Sequence, residues 1–345
     1  FLSATELGSA IKSKQISPVE AVEAYLDRIE RIDPQVNSYI TVMAEQARQE
    51  ALEAEAEIRR GDYRGPLHGI PMGIKDQIYT KGVRTTDASK IRTDFIPRFD
   101  ATVVTNLKKA GAILLGKLNM SEFASGDAFH HPYGRPRNPW DLSRNPGTSS
   151  SGSGAATAAF LCATSLGEDT GGSIRGPASF CGLVGIRPSW GRVSRHGVLG
   201  ASWSMDQVGP ISRTVSDCAI TLAAIAGHDP RDATSAHREP TDYAATLGQD
   251  IKGLRLGVPE EYFVDGMDPG TRKAVEDAVS TLEGLGASVR HVSLPTTRYA
   301  LACYYIIAPS ECSANLARYD GVKYGYSYQD TTDLWEAMEK TREYG

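Results

Sequence analysis

From Gly69 onward the chain changes hydrophobic period every few residues, and that alternation restricts it to one class of fold. Residues 70–74 form a short apolar run that leads into Lys75-Asp76. Residues 102–110 then repeat at helical spacing, and Ile113-Leu114-Leu115 reads as a buried strand. The alternation continues with a small-residue helix over 155–160, a strand over 163–166 and a helix over 214–226 closed by Gly227. A strand over 254–258, a helix over 272–285 and a strand over 289–294 follow. Short strands exchanged with helices predict an α/β fold around a largely parallel or mixed sheet.

The first 60 residues read as helices. Ser17-Pro18-Val19-Glu20 is a capping box with proline at the first helical position. Val22, Tyr25, Leu26, Ile29 and Ile32 then give one apolar face, and Asp33-Pro34 is expected to stop that helix. A short apolar run over 39–43 and a charged helix over 44–60 complete the segment. The expected organisation is one domain over 1–345. It has a helical segment over about 1–60, a core over about 61–227, a polar surface excursion over 228–250 and a C-terminal part over about 251–345.

Composition removes several function classes. The net charge is −5 and no block of Lys or Arg occurs, so direct nucleic-acid binding is not expected. No apolar run reaches the length of a membrane span, and the N-terminus lacks the charged-then-apolar layout of a signal peptide. Cys162, Cys181, Cys218, Cys303 and Cys312 are odd in number and contain no CxxC, which predicts reduced, buried thiols in a cytoplasmic protein.

Two tracts dense in Gly and Ser stand apart, 145–154 and 167–176. Such tracts are often flexible linkers. These lie between core-like elements, however, and the second carries Asp169 and Arg175. Phosphate binding by a glycine-rich loop finds little support. The nearest match, over 111–118, ends in Leu118 where a magnesium-binding hydroxyl is needed. Nucleophilic catalysis fits better. A serine after Asp-Thr-Gly-Gly sits where the N–H groups of Thr170, Gly171, Gly172 and Ser173 can converge on a substrate oxyanion.

A serine nucleophile needs a base. None of the seven histidines (His68, His130, His131, His196, His228, His237, His291) lies in a catalytic motif, and no GxSxG elbow occurs. The base is then either a distant histidine or a lysine. A lone lysine is most often a solvated surface residue, but Lys75 follows an apolar run that would bury its stem. Burial lowers a lysine's pKa by disfavouring the ammonium.

Gly69-Ile-Pro-Met-Gly-Ile-Lys75-Asp76, Pro146-Gly-Thr-Ser-Ser-Ser-Gly-Ser153 and Asp169-Thr-Gly-Gly-Ser-Ile-Arg175, in this order, resemble the amidase signature family. Ser149 and Ser173 keep that family's spacing of 24 (173 − 149). The resemblance implies a central mixed, twisted sheet flanked by helices on both faces. It implies a Ser–cis-Ser–Lys triad with Ser173 as nucleophile, Ser149 as relay and Lys75 as base, acting through an acyl-enzyme without metal or organic cofactor. Ser150 and the Asp169–Arg175 charge pair would support the nucleophile loop.

Arg137-Asn-Pro-Trp-Asp141, Trp190-Gly-Arg-Val-Ser194, Ala226-Gly-His-Asp-Pro230, Tyr304-Tyr-Ile-Ile-Ala308 and residues 315–325 narrow the likeness. They resemble the A subunits of the glutamyl-tRNA(Gln)/aspartyl-tRNA(Asn) amidotransferases. That implies glutamine hydrolysis, partner subunits that receive the ammonia, and a role for Tyr304 or Tyr305 in binding glutamine. A core-packing role for the two tyrosines stands beside it.

Four features depart from the pattern. Thr148 and Ser151 replace glycines, Glu168 replaces a small hydroxyl residue, and 126–134 differs from what those subunits carry. The family also implies more chain beyond Gly345. A stand-alone amidase for small, aryl, fatty or carbamate-type amides is therefore the alternative. A catalytically silent scaffold subunit is the alternative of another class.

Overall fold

Helix formation at the N-terminus follows from its caps. Ser3 and Ser17 each accept the N–H three residues on, and Glu6 and Glu20 reach back to close two capping boxes. These start α1 (Ala4–Lys12) and α2 (Pro18–Val36). Contrary to expectation, Pro34 lies inside α2 rather than ending it. A proline so near the C-terminus removes only one late hydrogen bond. The helix ends three residues later, where Asn37 adopts the left-handed conformation. The Asp33 carboxylate then accepts the backbone N–H groups of Ser38 and Tyr39. The structure, a computed structural model, describes residues 1–125, 131–239 and 241–345. The divergent residues 126–130, His130 among them, lie outside the described residues.

The chain continues through β1 (Tyr39–Val42), α3 (Ala44–Arg60), β2 (Pro71–Lys75), α4 (Thr102–Lys109), β3 (Ile113–Leu118), α5 (Ser151–Ala158) and β4 (Thr164–Asp169). Then come α6 (Arg175–Phe180), β5 (Val184–Gly185), β6 (Gln207–Ser212), α7 (Val215–Ile225), β7 (Arg255–Pro259), α8 (Pro269–Gly284), β8 (Ser288–Val292), α9 (Thr297–Leu316) and α10 (Leu334–Tyr344).

The described residues group into two compact units, Phe1–Ala244 with Ser310–Gly345, and Ala245–Pro309. The first unit carries a six-stranded sheet in the order β1-β3-β2-β4-β6-β5. β2 runs parallel to both β3 and β4, while β1, β5 and β6 run antiparallel to their neighbours. In the second unit β7 and β8 pair in parallel, with α8 in the connection between them.

Side-chain alternation along the strands sends residues to two cores. Met72, Ile74, Leu114, Leu166 and Val208 face one core, with α1, α4 and α7. Ile113, Leu115 and Leu118 face the other, with α2, α3 and α5. The sheet is thus mixed, with helices on both faces, as the expected α/β class requires. Its strands β2, β3, β4 and β6 are buried throughout.

Two further differences from expectation have physical causes. α5 begins at Ser151, four residues before the expected start, so the last four residues of the first Gly/Ser tract are helical. Close packing selects the small residues there: a Cβ on Gly152 would come within 2.4 Å of the Ser38 carbonyl oxygen. Cys162, Cys181 and Cys218 are buried free thiols, but Cys303 is exposed, so the expectation of uniformly buried cysteines fails there. Among the described residues, no helix is long and apolar enough to cross a membrane.

Candidate active site

Because β2 and β4 are parallel, their carboxyl ends open on the same edge of the sheet, where α/β proteins usually place their ligand sites. Lys75 ends β2, and Glu168 and Asp169 end β4. β6 runs antiparallel to β4 and pairs Gln207 with Asp169, which brings Asp206 to that edge as well.

Lys75 is fully buried. Its Nζ donates to Ser149 Oγ at 2.8 Å and to the Glu168 carbonyl at 3.2 Å, and lies 3.4 Å from Glu168 Oε2. Burial pushes the amine below the ordinary lysine range, and the Glu168 charge opposes that shift. A neutral amine against a hydroxyl can reverse the bond and accept the hydroxyl's proton.

Ser149 follows a cis peptide bond from Thr148. Its carbonyl accepts the Ser121 N–H, and its side chain is almost wholly buried. Gly147, just before, has φ +89°, and a Cβ there would meet the Pro177 nitrogen at 2.7 Å. Only glycine fits that turn.

Ser150 joins the two Gly/Ser tracts. Its N–H donates to the Ser173 carbonyl at 3.3 Å, its hydroxyl donates to the Glu168 carbonyl at 3.1 Å, and the Glu168 N–H reaches its Oγ at 3.3 Å. Ser173 is half-buried, on the loop between β4 and α6, and its backbone is thereby held beside the Ser149–Ser150 turn.

Asp169 organises that loop from beneath. Its buried carboxylate accepts the N–H groups of Gly172 (2.8 Å) and Ile174 (3.1 Å), and both Nε and Nη2 of Arg175 at 3.1 Å. Arg187, a partner not anticipated from sequence, adds an ion pair at 3.3 Å. Burial raises the acid's pKa, but Arg175 and the backbone donors outweigh it and hold the carboxyl below its usual range. Of the four N–H groups expected to face an oxyanion, that of Gly172 is engaged by Asp169.

Asp169→Ala strands three charge-assisted contacts and the backbone N–H groups of Gly172, Ile174 and Arg175. Arg175 is half-exposed and can turn to water, so the expected loss of stability is at the low end for a broken buried pair, about 3 kcal/mol. Denaturant unfolding of the two proteins measures it.

Tyr304 and Tyr305 lie on α9 in the second unit and meet edge to face at 5.2 Å. Tyr305 is exposed, so packing in a core does not describe it. Several histidines are engaged elsewhere: His68 with Glu57, His196 against Phe99, and His228 with His237. Among the described residues, no cluster of His, Cys, Asp and Glu is arranged to hold a metal ion.

Two groups at the edge were not assigned a role from sequence. One is the Glu168 side chain, whose replacement of a small hydroxyl residue was the visible signal. The other is Asp206, which had none. A second buried charge cluster lies next along the sheet. Lys117 Nζ donates to the Ile78 carbonyl and Thr85 Oγ1 and stands 3.8 Å from Asp76 Oδ1, and burial lowers its pKa to about 8.

Comparison with known proteins accords with this geometry. The amidase family model matches residues 20–345. The A subunit of the glutamyl-tRNA(Gln) amidotransferase of Carboxydothermus hydrogenoformans is 52% identical, over all of this chain and 71% of that protein. The crystal structure of the corresponding Thermotoga maritima protein superposes with a TM-score of 0.78 at 37% identity, covering 94% of this chain and 67% of that one. The peptide amidase of Stenotrophomonas maltophilia superposes at 0.84 with 36% identity, covering 92% and 67%. The chain belongs to the amidase family and is an amide-cleaving enzyme.

Proposed function

We propose that this chain hydrolyses glutamine as the A subunit of a tRNA-dependent amidotransferase and passes the ammonia to partner subunits. In this reading Ser173 gives its proton to Ser149 as Ser149 gives its own to neutral Lys75. The freed Ser173 oxygen attacks the side-chain amide carbon. The resulting oxyanion takes hydrogen bonds from the N–H groups of Thr170, Gly171 and Ser173. The C–N bond then breaks, Lys75 returns the proton through Ser149 to the departing ammonia, and water releases glutamate from the Ser173 ester. No cofactor enters the scheme.

The observation that carries the chemistry is the buried amine of Lys75, 2.8 Å from the hydroxyl that follows the cis bond. What separates Lys75 from the equally buried Lys117 is that its amine meets the hydroxyl of Ser149, held beside the Ser173 loop. The choice of an amidotransferase A subunit rests on the 52% identity to one over the whole of this chain.

The fold similarity favours a second reading. The peptide amidase superposes at least as well as the amidotransferase protein, which supports a stand-alone amidase. Ammonia release from glutamine, asparagine, a C-terminal peptide amide and an aryl amide separates them, with Ser173→Ala as blank. Glutamine-selective release supports the amidotransferase reading. Release from the peptide or aryl amide with glutamine ignored overturns it.

A further inference from the structure

We propose that Glu168 is a positioning residue of this active site: its carboxyl group grips the Lys75 nitrogen beside Ser149 and, bridged through Thr170 to Asp206, sets whether that nitrogen is available as a base. The proposal deepens the reading above and rests on Lys75 being the base.

The observations are geometric. Glu168 is fully buried, and its Oε2 lies 3.4 Å from the nitrogen that also contacts Ser149. Its other oxygen, Oε1, is 3.0 Å from Thr170 Oγ1. The same hydroxyl lies 2.8 Å from Asp206 Oδ1. A threonine hydroxyl has one proton to donate. Two carboxylates cannot both receive it, so the second contact becomes a hydrogen bond only when one acid is itself protonated. Thr170 thus links the two carboxyl groups in one polar chain. Consistent with this, burial, with Glu168 adding to it, raises Asp206 to about 7.

The surroundings leave few other charges to act on Glu168. From β2 it faces Lys75. On its own strand the next residue is Asp169, which Arg175 and Arg187 neutralise. From the turn before β6 comes Asp206, whose remaining acceptor sites are filled by the N–H groups of Ala201 and Ser202. Cys312 of α9 also senses both acids, and its thiol is pushed up by burial first and then by their charge.

The consequence concerns the pH at which Lys75 becomes a base. An ionised Glu168 favours the ammonium and holds the base back. Without that charge the nitrogen is released, so the residue at 168 sets the pH at which Lys75 becomes a base. A small hydroxyl residue at 168 would leave Lys75 with no carboxylate in contact.

The test is the titration of Lys75 in the whole chain. The 13Cε resonance of Lys75, assigned by its loss in Lys75→Met, is followed with pH in wild type, Glu168→Gln and Glu168→Thr. In parallel, the pH dependence of Ser173 labelling by a fluorophosphonate is measured. Removing an opposite charge at this range is expected to lower the Lys75 midpoint by about 1–3 pH units, and the acid limb of labelling by the same amount. The threonine variant keeps the test available should the glutamine variant not fold. A midpoint that stays within about 0.3 unit in the folded variant, with labelling scaled down equally at every pH, overturns the proposal. A shifted Lys75 midpoint with no labelling of Ser173 in any protein upholds the role of Glu168 in setting the lysine while overturning the catalytic reading it was joined to.

Discussion

Ser173→Ala is expected to reduce amide turnover by about 10⁴–10⁶-fold while leaving the fold intact, the loss typical of removing a covalent nucleophile from a triad that acts as a unit. The side chain makes little structural contribution. The contact that holds position 173 in place runs from the Ser150 N–H to the residue 173 carbonyl, and alanine keeps it. Thermal unfolding should therefore barely change as activity disappears. A large drop in both would mean that Ser173 serves the loop rather than the reaction. Steady-state ammonia release and a melting curve on the same preparation distinguish the two.

Lys75→Met is expected to lower kcat/KM by about 10²–10⁴-fold, the usual contribution of a positioned general base. Methionine fills a similar volume on β2 without a charge to bury. Wild type should also show a characteristic pH profile. A lysine base acts only when neutral, so kcat/KM is expected to fall as the pH drops through the Lys75 pKa. Burial places that value below the ordinary lysine range, and the acid limb is expected below that range with it. Lys75→Met should flatten this limb at its residual rate. A limb that persists unchanged in the variant belongs to some other group, and Lys75 would not be the base.

Much of this site was legible because its chemistry is concentrated in contiguous motifs. Lys75 closes an apolar strand, and a buried lysine at a strand's carboxyl end follows from that order. Asp169 and Arg175 bracket one tight loop, so their pairing is local. The capping box at Ser17 shows how a four-residue pattern sets a helix start, and Ser3 repeats it at α1.

What escaped the sequence was set by tertiary contact. Pro34 could end α2 by its own preference, yet the helix continued to Asn37 because a late proline forfeits only one bond. Gly152 and its neighbours looked like loop, but close approach of the backbone at Ser38 favours a helix of small residues there. β6 carries Pro210 in its middle, a residue that argues against a central strand. Asp206 and Arg187 reach the site only because β6 and the chain before it return to β4, and no local spacing encodes that. The Gly172 N–H shows the same limit: its place in a Gly-Gly-Ser run suggested an oxyanion donor, and only the folded loop puts Asp169 beneath it.

The central claim is that Ser173 is the nucleophile and Lys75, through Ser149, its base. Incubation with a fluorophosphonate followed by peptide mass mapping tests it most directly. The account predicts a single stoichiometric adduct on Ser173, formed far more slowly in Lys75→Met and in Ser149→Ala. An adduct on a different serine, or labelling of Ser173 at an undiminished rate in Lys75→Met, would contradict it.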